Sequence, residues 1–474
     1  MTGSAFRIRP ALYYLLIIAV TFAVFEEVRL NEFVWDTIPF VVNNPWVVHP
    51  DAHALLAMFT QYHHSNWQPM VWLSHSIDFA LFDHNTGQHH LSNVAYHAVD
   101  ACLVYRLTRD LLVDTKFLEV EQGRVALLSA LIFAVHPQHV QSVAWLVERK
   151  DTLYALFTLL CFISYLSAQR HRNPGWRRFA PICLMALALM SKPMAVTIPV
   201  VLILFDIYPL NRWRRGPVEL SGLIIEKWPY WILSVVVIAI TLHTQQGAIV
   251  SVHNLPLWAR PATAINNYLF YIYCYLVPVN LSPIYPYVMD PVRIAAFSYW
   301  LPGLMMLAGT LAASAWLWRR GSRWPMLMLL FYVVTLLPVS GLVAVGPSKA
   351  LDYYSYLATL PLGLLISMAI VRGFTTAGRA RPVVVALAAS YLIALSLLTF
   401  QQVKIWRNEL TVWVRAYELY PDSAYINRNL AGAYFAIGDY DLALKHARIS
   451  ARESALGEAY LRQMKEALKR IKPP

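Results

Sequence analysis

The aspartate at position 36 has the surroundings expected of a general base. It lies in segment 34–39 beside Trp35, eleven residues after the end of an apolar run at 11–25. A carboxylate held next to an aromatic ring at a membrane surface loses part of its hydration, which raises its pKa toward the range useful for proton abstraction. The same side chain could instead cap the segment that follows it. Asp36 is therefore a candidate catalytic residue with a structural alternative.

Four basic residues lie near the predicted outer ends of apolar runs. Lys and Arg are normally depleted from the translocated side of membrane proteins, so each one there needs a local reason. At the depth of a lipid headgroup they could donate charge-assisted hydrogen bonds to phosphate oxygens. The four are Arg149, Lys150, Lys192 and Arg260. This pattern predicts a site for a phosphate attached to a membrane-dissolved chain.

Two polar clusters lie beside these cations at the ends of apolar runs. One contains His136 and His139 around a proline, and the other contains Glu148 directly before Arg149. Proline ends helices and acidic residues favour helix starts, so a purely structural role stays open for both clusters. The functional interpretation assigns them to substrate binding.

Histidines are concentrated in loop 26–90, which holds eight of the fifteen. The spacing of His49 and His53 would place both on one helical face, as in a metal site. No cysteine is nearby and the H-E-x-x-H pattern is absent. A divalent metal is therefore an alternative that we do not favour, and we predict no definite cofactor. His89 and His90 are instead candidates for contacts with a sugar or an acceptor, as is His136.

Eleven apolar runs predict the membrane segments that position these residues. Several are shorter than the roughly 20 residues that a spanning helix needs, so their ends must extend into flanking polar residues. The runs occupy 11–25, 91–112, 125–143, 152–168, 179–190, 194–209, 229–245, 299–318, 325–340, 356–371 and 382–402. A further stretch, 264–280, is expected to lie in the interface without crossing.

The distribution of Lys and Arg predicts the orientation. Segments assigned to the inner side carry 20 of these residues, whereas the intervening loops carry seven. Loop 26–90 has a single basic residue, Arg29, in 65 positions. Because basic loops stay in the cytoplasm, the N-terminus is predicted inside and loop 26–90 outside. Eleven spans then place the C-terminus outside as well.

Two acidic residues fall inside predicted spans. Asp100 lies in the second run and Asp206 in the sixth. Acids within a membrane are costly and usually functional. Both lie near the inner surface, however, where pairing with Arg106 or Arg212 would satisfy them, and we interpret both as structural.

The composition excludes several classes of protein. The chain is 58% hydrophobic and only 14% charged, whereas soluble domains carry about 25% charged residues. A soluble secreted enzyme, a disordered chain and a disulfide scaffold are therefore excluded. The net charge of +12 reflects topology and does not indicate a nucleic-acid partner. The sequence instead predicts an all-α, polytopic membrane helical bundle.

The C-terminal segment 403–474 differs from the membrane domain, 1–402, in being charged and rich in alanine. Residues 424–457 follow the register of a tetratricopeptide repeat, and Trp413, Ala416 and Pro421 fit the second helix of a preceding repeat. We therefore predict a small external helical tail, ending in a terminal helix at 457–471. Its role is either structural or the binding of a partner.

Several motifs in chain order resemble the transmembrane-and-tetratricopeptide protein O-mannosyltransferases and their bacterial relatives. The resemblance spans nearly the whole chain, including the tail. The motifs are Trp35-Asp36, Asn44-Pro45, Asn66-Trp67-Gln68-Pro69, Ser74-His75, Gly87-Gln88-His89-His90, Asn93, His136-Pro137-Gln138-His139-Val140, Val143-Ala144-Trp145, Glu148-Arg149-Lys150-Asp151, Met190-Ser191-Lys192-Pro193, Asp206-Ile207-Tyr208-Pro209-Leu210, Tyr285-Pro286 and Asp352-Tyr353-Tyr354-Ser355-Tyr356.

The resemblance implies a glycosyltransferase of the GT-C fold class. In that class, a sugar on a polyprenyl or dolichyl phosphate is transferred with inversion on the outer face of the membrane. Asp36 would then deprotonate an acceptor hydroxyl on a protein or a glycan, and the outer cations would hold the lipid phosphate. Asp352 and Tyr353 are added as candidate substrate contacts.

The sequence departs from the family pattern at three positions. Thr37 stands where a second acid is common, Gln141 where a Glu is expected, and Tyr353 where an Arg often follows the aspartate. The absence of the second acid argues against a metal-assisted mechanism. The change at 353 removes one expected contact with the donor.

We therefore predict an integral membrane glycosyltransferase that uses a lipid-phosphate-linked sugar. The predicted location is a bacterial inner membrane, with the N-terminus cytoplasmic and the catalytic face and C-terminus periplasmic; in a eukaryote it would be the endoplasmic reticulum. The alternatives are a transporter or flippase of a lipid-linked substrate, and a catalytically inactive scaffold.

Overall fold

The computed structural model describes residues 10–113, 118–171, 179–213, 217–248, 255–288 and 290–471. These residues are almost entirely helical, which confirms the predicted fold class. Within them, two short strands, β1 (Tyr285–Pro286) and β2 (Ser348–Ala350), form one antiparallel pair.

The α-helices follow one another along the chain with short connections. They are α1 (Pro10–Val24), α2 (Pro45–Val48), α3 (Ala52–Thr60), α4 (Pro69–Phe82), α5 (Thr86–Leu112), α6 (Glu119–Val135), α7 (Val140–Ala144), α8 (Arg149–His171), α9 (Ala180–Leu189), α10 (Ile198–Ile207), α11 (Pro217–Glu226), α12 (Trp228–Thr244), α13 (Ala259–Leu276), α14 (Pro291–Ala295), α15 (Phe297–Arg319), α16 (Trp324–Leu336), α17 (Leu360–Thr376), α18 (Arg381–Ile405), α19 (Glu409–Leu419), α20 (Ala424–Ala436), α21 (Tyr440–Glu453) and α22 (Ala455–Ile471).

Short helical turns connect several of these helices. They are Glu26–Leu30, Ile38–Val42, Pro137–His139, Leu146–Glu148, Pro193–Thr197, Gln246–Ala248, Leu337–Val339, Asp352–Ser355 and Gly378–Ala380.

Each of the eleven predicted apolar runs overlaps an α-helix. Among the described residues, three helical segments are long and apolar enough to cross a membrane: Leu146–His171, Pro291–Arg319 and Gly378–Ile405. A pair bent by 58°, Glu219–Glu226 with Trp228–Thr244, would make a fourth. The chain is an integral membrane protein, and its count of eleven spans remains a prediction. The ambiguous stretch near 264–280 lies within α13 and the residues after it.

The predicted third run, 125–143, is shorter than expected as a helix. It ends at Val135, and the chain then forms the turn Pro137–His139 and the short helix α7. Proline lacks the backbone N–H that would continue the ladder and its ring obstructs the preceding turn. The chain therefore leaves α6 at His136, whose backbone is extended, and the polar segment does not continue that helix.

Small side chains allow close packing in the centre of the bundle. Helix α5 packs against α1, α6 and α8, and α6 packs in addition against α17. Ala126, Ala130 and Ala134 recur every four residues along α6 and are fully buried. Such small residues let helix backbones approach closely, which replaces the hydrophobic driving force that is absent between helices in lipid.

The two acids predicted inside spans are both paired, one as expected. Asp206 accepts hydrogen bonds from Arg212 at 2.9 Å and from Tyr165 at 2.7 Å, and lies 2.8 Å from Lys227. Asp100 instead accepts from the hydroxyl of Tyr356 at 2.9 Å. The predicted pairing of Asp100 with Arg106 is wrong, because Arg106 pairs with Asp110, one helical turn further along α5.

Helices α19–α22 make up the tail. Helix α18 continues to Ile405, three residues beyond the predicted boundary at 402/403. Helices α20 and α21 pack against each other through a turn at Gly438, whose φ of +83° suits glycine. The terminal helix begins at Ala455, two residues before the prediction. The assignment to a tetratricopeptide repeat remains a prediction.

Candidate functional site

A cavity of about 750 Å³ lies between α12, α16 and the turn Pro193–Thr197. Most of its wall is apolar, with Ile238, Leu242 and Val334 among the lining residues. Polar side chains also line it, and they include three lysines. These are Lys150, Lys192 and Lys349, accompanied by Tyr353 and Tyr354. The cavity thus combines an apolar wall with a cluster of cationic groups.

Two of the three lysines are held by carboxylates at the start of α8. Lys150 Nζ lies 2.8 Å from Glu148 Oε1. Lys192 Nζ contacts Asp151 Oδ1 and lies 4.0 Å from Glu148 Oε2. Asp151 also accepts a hydrogen bond from Ser142 at 3.2 Å. Because an acid in the first turn is favoured by the helix dipole, this cluster forms where α8 begins.

Aromatic rings form the surface on which the two paired lysines rest. Lys192 Nζ lies 4.5 Å from the centroid of the Tyr353 ring and 5.5 Å from that of Tyr354. Lys150 Nζ lies 5.6 Å from the Tyr353 ring. Such contacts stabilise a cation where water is partly excluded. Tyr353 therefore contributes to the cationic site although it lacks the charge of the arginine expected there.

Gln141 and Tyr353, two departures from the family pattern, are in contact with each other. The side-chain oxygen of Gln141 accepts a hydrogen bond from the backbone N–H of Tyr353 at 3.2 Å. Its amide nitrogen donates to the carbonyl of Pro283 at 2.9 Å. A glutamate at 141 could not make the second bond, because an ionised carboxylate has no donor.

The third cavity lysine, Lys349, was not a predicted site residue. It lies in β2, where its Nζ is 3.4 Å from Asn266 Oδ1 and 5.1 Å from the centroid of the Phe270 ring. No carboxylate of the described residues forms an ion pair with it. Burial lowers its pKa. The only sequence signal was its place three residues before Asp352, on the outer side of the predicted topology.

Asp36 is half-buried and is not part of the cavity wall, although the charges of Lys150 and Glu148 act on it. Burial raises the pKa of Asp36 to about 6, with smaller contributions from Glu148 and Glu409, while Lys150 lowers it. Within the described part of the chain, the Asp36 side chain accepts no hydrogen bond, and Thr37 is the N-cap residue of the following turn. The alternative role of Asp36 as a cap is therefore not observed.

Arg149 does not line the cavity, although the next residue of α8, Lys150, does. The Arg149 side chain is fully buried and is not part of the cavity wall. It forms an ion pair with Asp78 at 2.6 Å and donates to Asn93 at 2.6 Å. It also donates to the carbonyls of Ser74 at 3.2 Å and His89 at 3.0 Å. The guanidinium therefore joins α4, α5 and α8 in the structure.

The predicted histidine contacts are buried and already hydrogen-bonded. His89 Nε2 bonds the carbonyl of Asp83 at 2.7 Å, and His90 Nε2 bonds that of Glu32 at 3.3 Å. Both ring nitrogens of each of the other two have partners. His136 bonds Tyr275 and Gln138, and His139 bonds Phe133 and Thr359. The structure does not bring these four histidines into the cavity.

Arg260 and Asp352 also lie outside the cavity wall. Arg260 donates from Nε to the carbonyl of Leu255 at 3.4 Å. Burial raises the pKa of Tyr287, a residue that does line the cavity, and the positive charge of Arg260 partly opposes that rise. Asp352 accepts a hydrogen bond from Tyr285 at 2.9 Å, and burial raises the pKa of Asp352 to about 8. Asp352 is thus largely protonated at neutral pH.

The described residues contain one group with the geometry of a metal site. Ligand atoms of His75, Asp78 and His89 lie within 4.8 Å of one another, and all three residues are buried. Arg149 lies 2.6 Å from the same carboxylate and neutralises it. A divalent ion would therefore add uncompensated positive charge to a buried site, which is costly. The residues present do not fit a metal well.

Comparison with known proteins supports the resemblance in part of the chain. No family model matches the sequence. The chain is 30% identical to protein O-mannosyl-transferase TMTC2 of Mus musculus over 156 residues, covering 32% of this chain and 18% of that protein. It is 33% identical to Tmtc1 of Drosophila melanogaster over 168 residues, covering 34% and 18%. The resemblance to this family is thus confirmed over about a third of the chain, and its predicted extent over nearly the whole chain remains a prediction. The matched region is less than a fifth of the length of these relatives.

Two solved structures resemble the fold. One is the apo oligosaccharyltransferase of Archaeoglobus fulgidus, with a TM-score of 0.43 and 14% identity, covering 94% of this chain and 59% of that one. The other is ArnT of Cupriavidus metallidurans bound to undecaprenyl phosphate, with a TM-score of 0.40 and 14% identity, covering 97% and 77%.

Proposed function

We propose that the chain is a membrane glycosyltransferase that moves a sugar from a polyprenyl- or dolichyl-phosphate to an acceptor hydroxyl on the outer face. The observation that carries the proposal is the cavity with an apolar wall and three lysines. Its volume lies within the 300–1,000 Å³ typical of ligand sites. The apolar wall suits the isoprenoid units next to the phosphate, and the lysines suit the phosphate.

The charge balance of the cavity favours an anion. Lys150 and Lys192 are formally neutralised by Glu148 and Asp151, whereas Lys349 has no such carboxylate among the described residues. Counted over these three lysines and two carboxylates alone, without Asp36, the sum is one formal positive charge. A phosphate oxygen could accept from Lys349 and restore its pKa. The carboxylates hold the other two lysines in position before the phosphate arrives.

The proposed reaction is a single displacement at the anomeric carbon. The acceptor oxygen forms a bond to that carbon as the bond from carbon to the phosphate oxygen breaks, so the configuration inverts. The acceptor proton passes to Asp36, and the departing electron pair stays on the lipid phosphate, where the lysines stabilise it. A pKa of about 6 leaves Asp36 ionised at neutral pH while making it more basic than an ordinary aspartate.

The names of the relatives support a protein acceptor for this chain. The two relatives described above are protein O-mannosyl-transferases. A protein hydroxyl is therefore the first acceptor to test, and a glycan hydroxyl is the second. The outer face of the chain would meet either acceptor in the periplasm of a bacterium or in the lumen of the endoplasmic reticulum.

The test is Asp36→Asn in the purified full chain with a polyprenyl-phosphate sugar. We expect turnover to fall by about 10²–10⁴-fold, because a positioned general base contributes that much. The matched control is Asp51→Asn, which makes the same change in the same loop. Asp51 is exposed and caps α3 through Ala54, a role that asparagine fills equally well.

Three outcomes separate this proposal from its alternatives. Turnover of Asp36→Asn within about tenfold of wild type would reject the general base. Absence of transfer and of donor hydrolysis in the wild-type chain would favour an inactive scaffold. Uptake of a lipid-linked substrate into vesicles without chemical change would favour a transporter or flippase.

A further inference from the structure

Trp35, the residue before the proposed base, has a backbone conformation that needs support. Its φ is +52°, in the left-handed region that bulky residues rarely adopt. Such a conformation persists only where the surroundings determine it. Because Trp35 and Asp36 share a peptide bond, whatever holds Trp35 also sets the position of the Asp36 carboxylate.

The contacts that hold Trp35 come in part from the tail. Glu409 Oε2 accepts a hydrogen bond from the backbone N–H of Trp35 at 2.7 Å. The other oxygen, Oε1, accepts from the indole N–H of Trp413 at 2.6 Å. Both carboxylate oxygens are thus used, one on loop 26–90 and one on α19. Charge-assisted hydrogen bonds of this kind are stronger than neutral ones.

Aromatic stacking fixes the Trp35 side chain between the tail and the membrane domain. Its ring stacks on Trp145 at 4.5 Å and 11°, and meets the edge of Trp413 at 4.7 Å and 64°. Trp145 in turn stacks on Trp406 at 5.3 Å. The rings of Trp406 and Trp413 are buried. The tail thus contributes a ring on each side of this stack.

A second hydrogen bond joins the same two segments. The backbone N–H of Glu32 donates to the carbonyl of Arg407 at 2.8 Å. Asn408 then begins α19 with reciprocal hydrogen bonds to Thr411. Glu409 consequently lies in the first helical turn, where a negative charge is favoured. The start of α19 is therefore locally fixed and can hold loop 26–90 in turn.

We infer that Glu409 is a positioning residue for Asp36 and that the tail is part of the catalytic site. This inference rests on the proposed function of Asp36 as the base. Glu409 does not touch the reacting atoms; it acts through the backbone of Trp35. The tail then has a role in the chemistry that is independent of any partner it binds.

The experiment is Glu409→Gln in the full chain, with kcat, donor KM and the pH dependence of kcat measured. A glutamine side chain has one carbonyl oxygen and one NH₂ group. Only one of the two donors, the Trp35 backbone N–H or the Trp413 indole N–H, can therefore keep an acceptor, and the other faces the NH₂ group. We expect kcat to fall by about 10- to 100-fold at unchanged donor KM, because a small displacement of a catalytic group has effects of that size. Loss of the Glu409 charge also lowers the pKa of Asp36, so the acid limb of kcat should move to lower pH.

Two further variants keep the result interpretable. Glu418→Gln makes the same change on α19 at an exposed position paired with Arg415, and should leave both kcat and the pH profile as in wild type. Trp413→Phe retains an aromatic ring but removes the N–H that meets Oε1, together with part of the buried indole that contacts Trp35. It should give a smaller loss of kcat than Glu409→Gln, and it serves as the test if Glu409→Gln does not fold.

Combination with Asp36→Asn separates this inference from the proposed function. If Glu409 acts through Asp36, Glu409→Gln should lower kcat by a much smaller factor in the Asp36→Asn background than in the wild type. An inactive Asp36→Asn with a fully active Glu409→Gln and an unshifted pH profile would overturn the positioning role alone. An active Asp36→Asn would instead overturn the proposed base.

Discussion

Arg149 and Lys150 are neighbours in the sequence, yet they lie in two differently built basic regions. Arg149 faces α4 and α5, fully buried, with its ion pair to Asp78 and three further acceptors. Lys150 faces the cavity, partly exposed, with a single carboxylate partner, Glu148. One step along a helix turns a side chain by about 100°. The difference teaches that a cation near a membrane surface is available to a ligand only where its donors are not already used.

The largest expected effect is on stability and concerns the buried residue, Arg149. Arg149→Met leaves the Asp78 carboxylate buried without a counter-charge, so we expect a loss of about 3–5 kcal/mol in the free energy of unfolding. Thermal unfolding in detergent measures it. Adding Asp78→Asn should recover part of the loss. Arg106→Met is the matched control, because its ion pair with Asp110 is more exposed and contributes about 0–1 kcal/mol. Equal stability of the two variants would contradict the structural role of Arg149.

An intermediate effect, on ligand affinity, is expected in the cavity. Lys349→Met removes the cavity lysine that has no carboxylate partner among the described residues, so stability should change little. Affinity for polyprenyl phosphate should fall by about 10- to 100-fold, since a charge-assisted hydrogen bond contributes about 1.5–3 kcal/mol. Titration of the purified protein with the lipid phosphate measures it, with the exposed Lys445→Met as control. Unchanged affinity would remove Lys349 from the proposed phosphate site.

The smallest effect is a shift in pH dependence. The charge of Lys150 lowers the pKa of Asp36, so Lys150→Met should raise it. The ionised base then forms at higher pH, and the acid limb of kcat should move upward by a fraction of a unit. Lys445→Met should leave the limb in place. A downward shift, or none, would show that the field of Lys150 does not reach the base.

Much of the bundle was predictable because hydrophobicity is a local property of the chain. All eleven apolar runs overlap α-helices, and Pro137 explains why 125–143 is not one continuous helix. The site was less predictable. Whether Arg149 or Lys150 faces the cavity depends on how the turn Leu146–Glu148 leads into α8, which spacing alone does not reveal. His136 and His139 resembled substrate contacts because they are polar in an apolar chain, and their partners lie up to 220 residues away.

Lys349 and Glu409 were overlooked for a related reason. Each acts through residues that are distant in sequence and come together only on folding. The ammonium of Lys349 meets Asn266 on α13, 83 residues away. Glu409 meets Trp35 across 374 positions. Apart from the position of Lys349 shortly before Asp352, no local pattern marks either residue, whereas Asp36 stood out because its motif is contiguous.

The contact between Trp35 and Glu409 has a consequence for biosynthesis. Loop 26–90 is made long before its partner on α19, so a nascent chain carries Asp36 before Glu409 exists to hold Trp35. Under the proposed function, the ability to transfer a sugar would arise only once α19 has been translated and has docked. A chain truncated before α19 would therefore be inserted in the membrane and inactive.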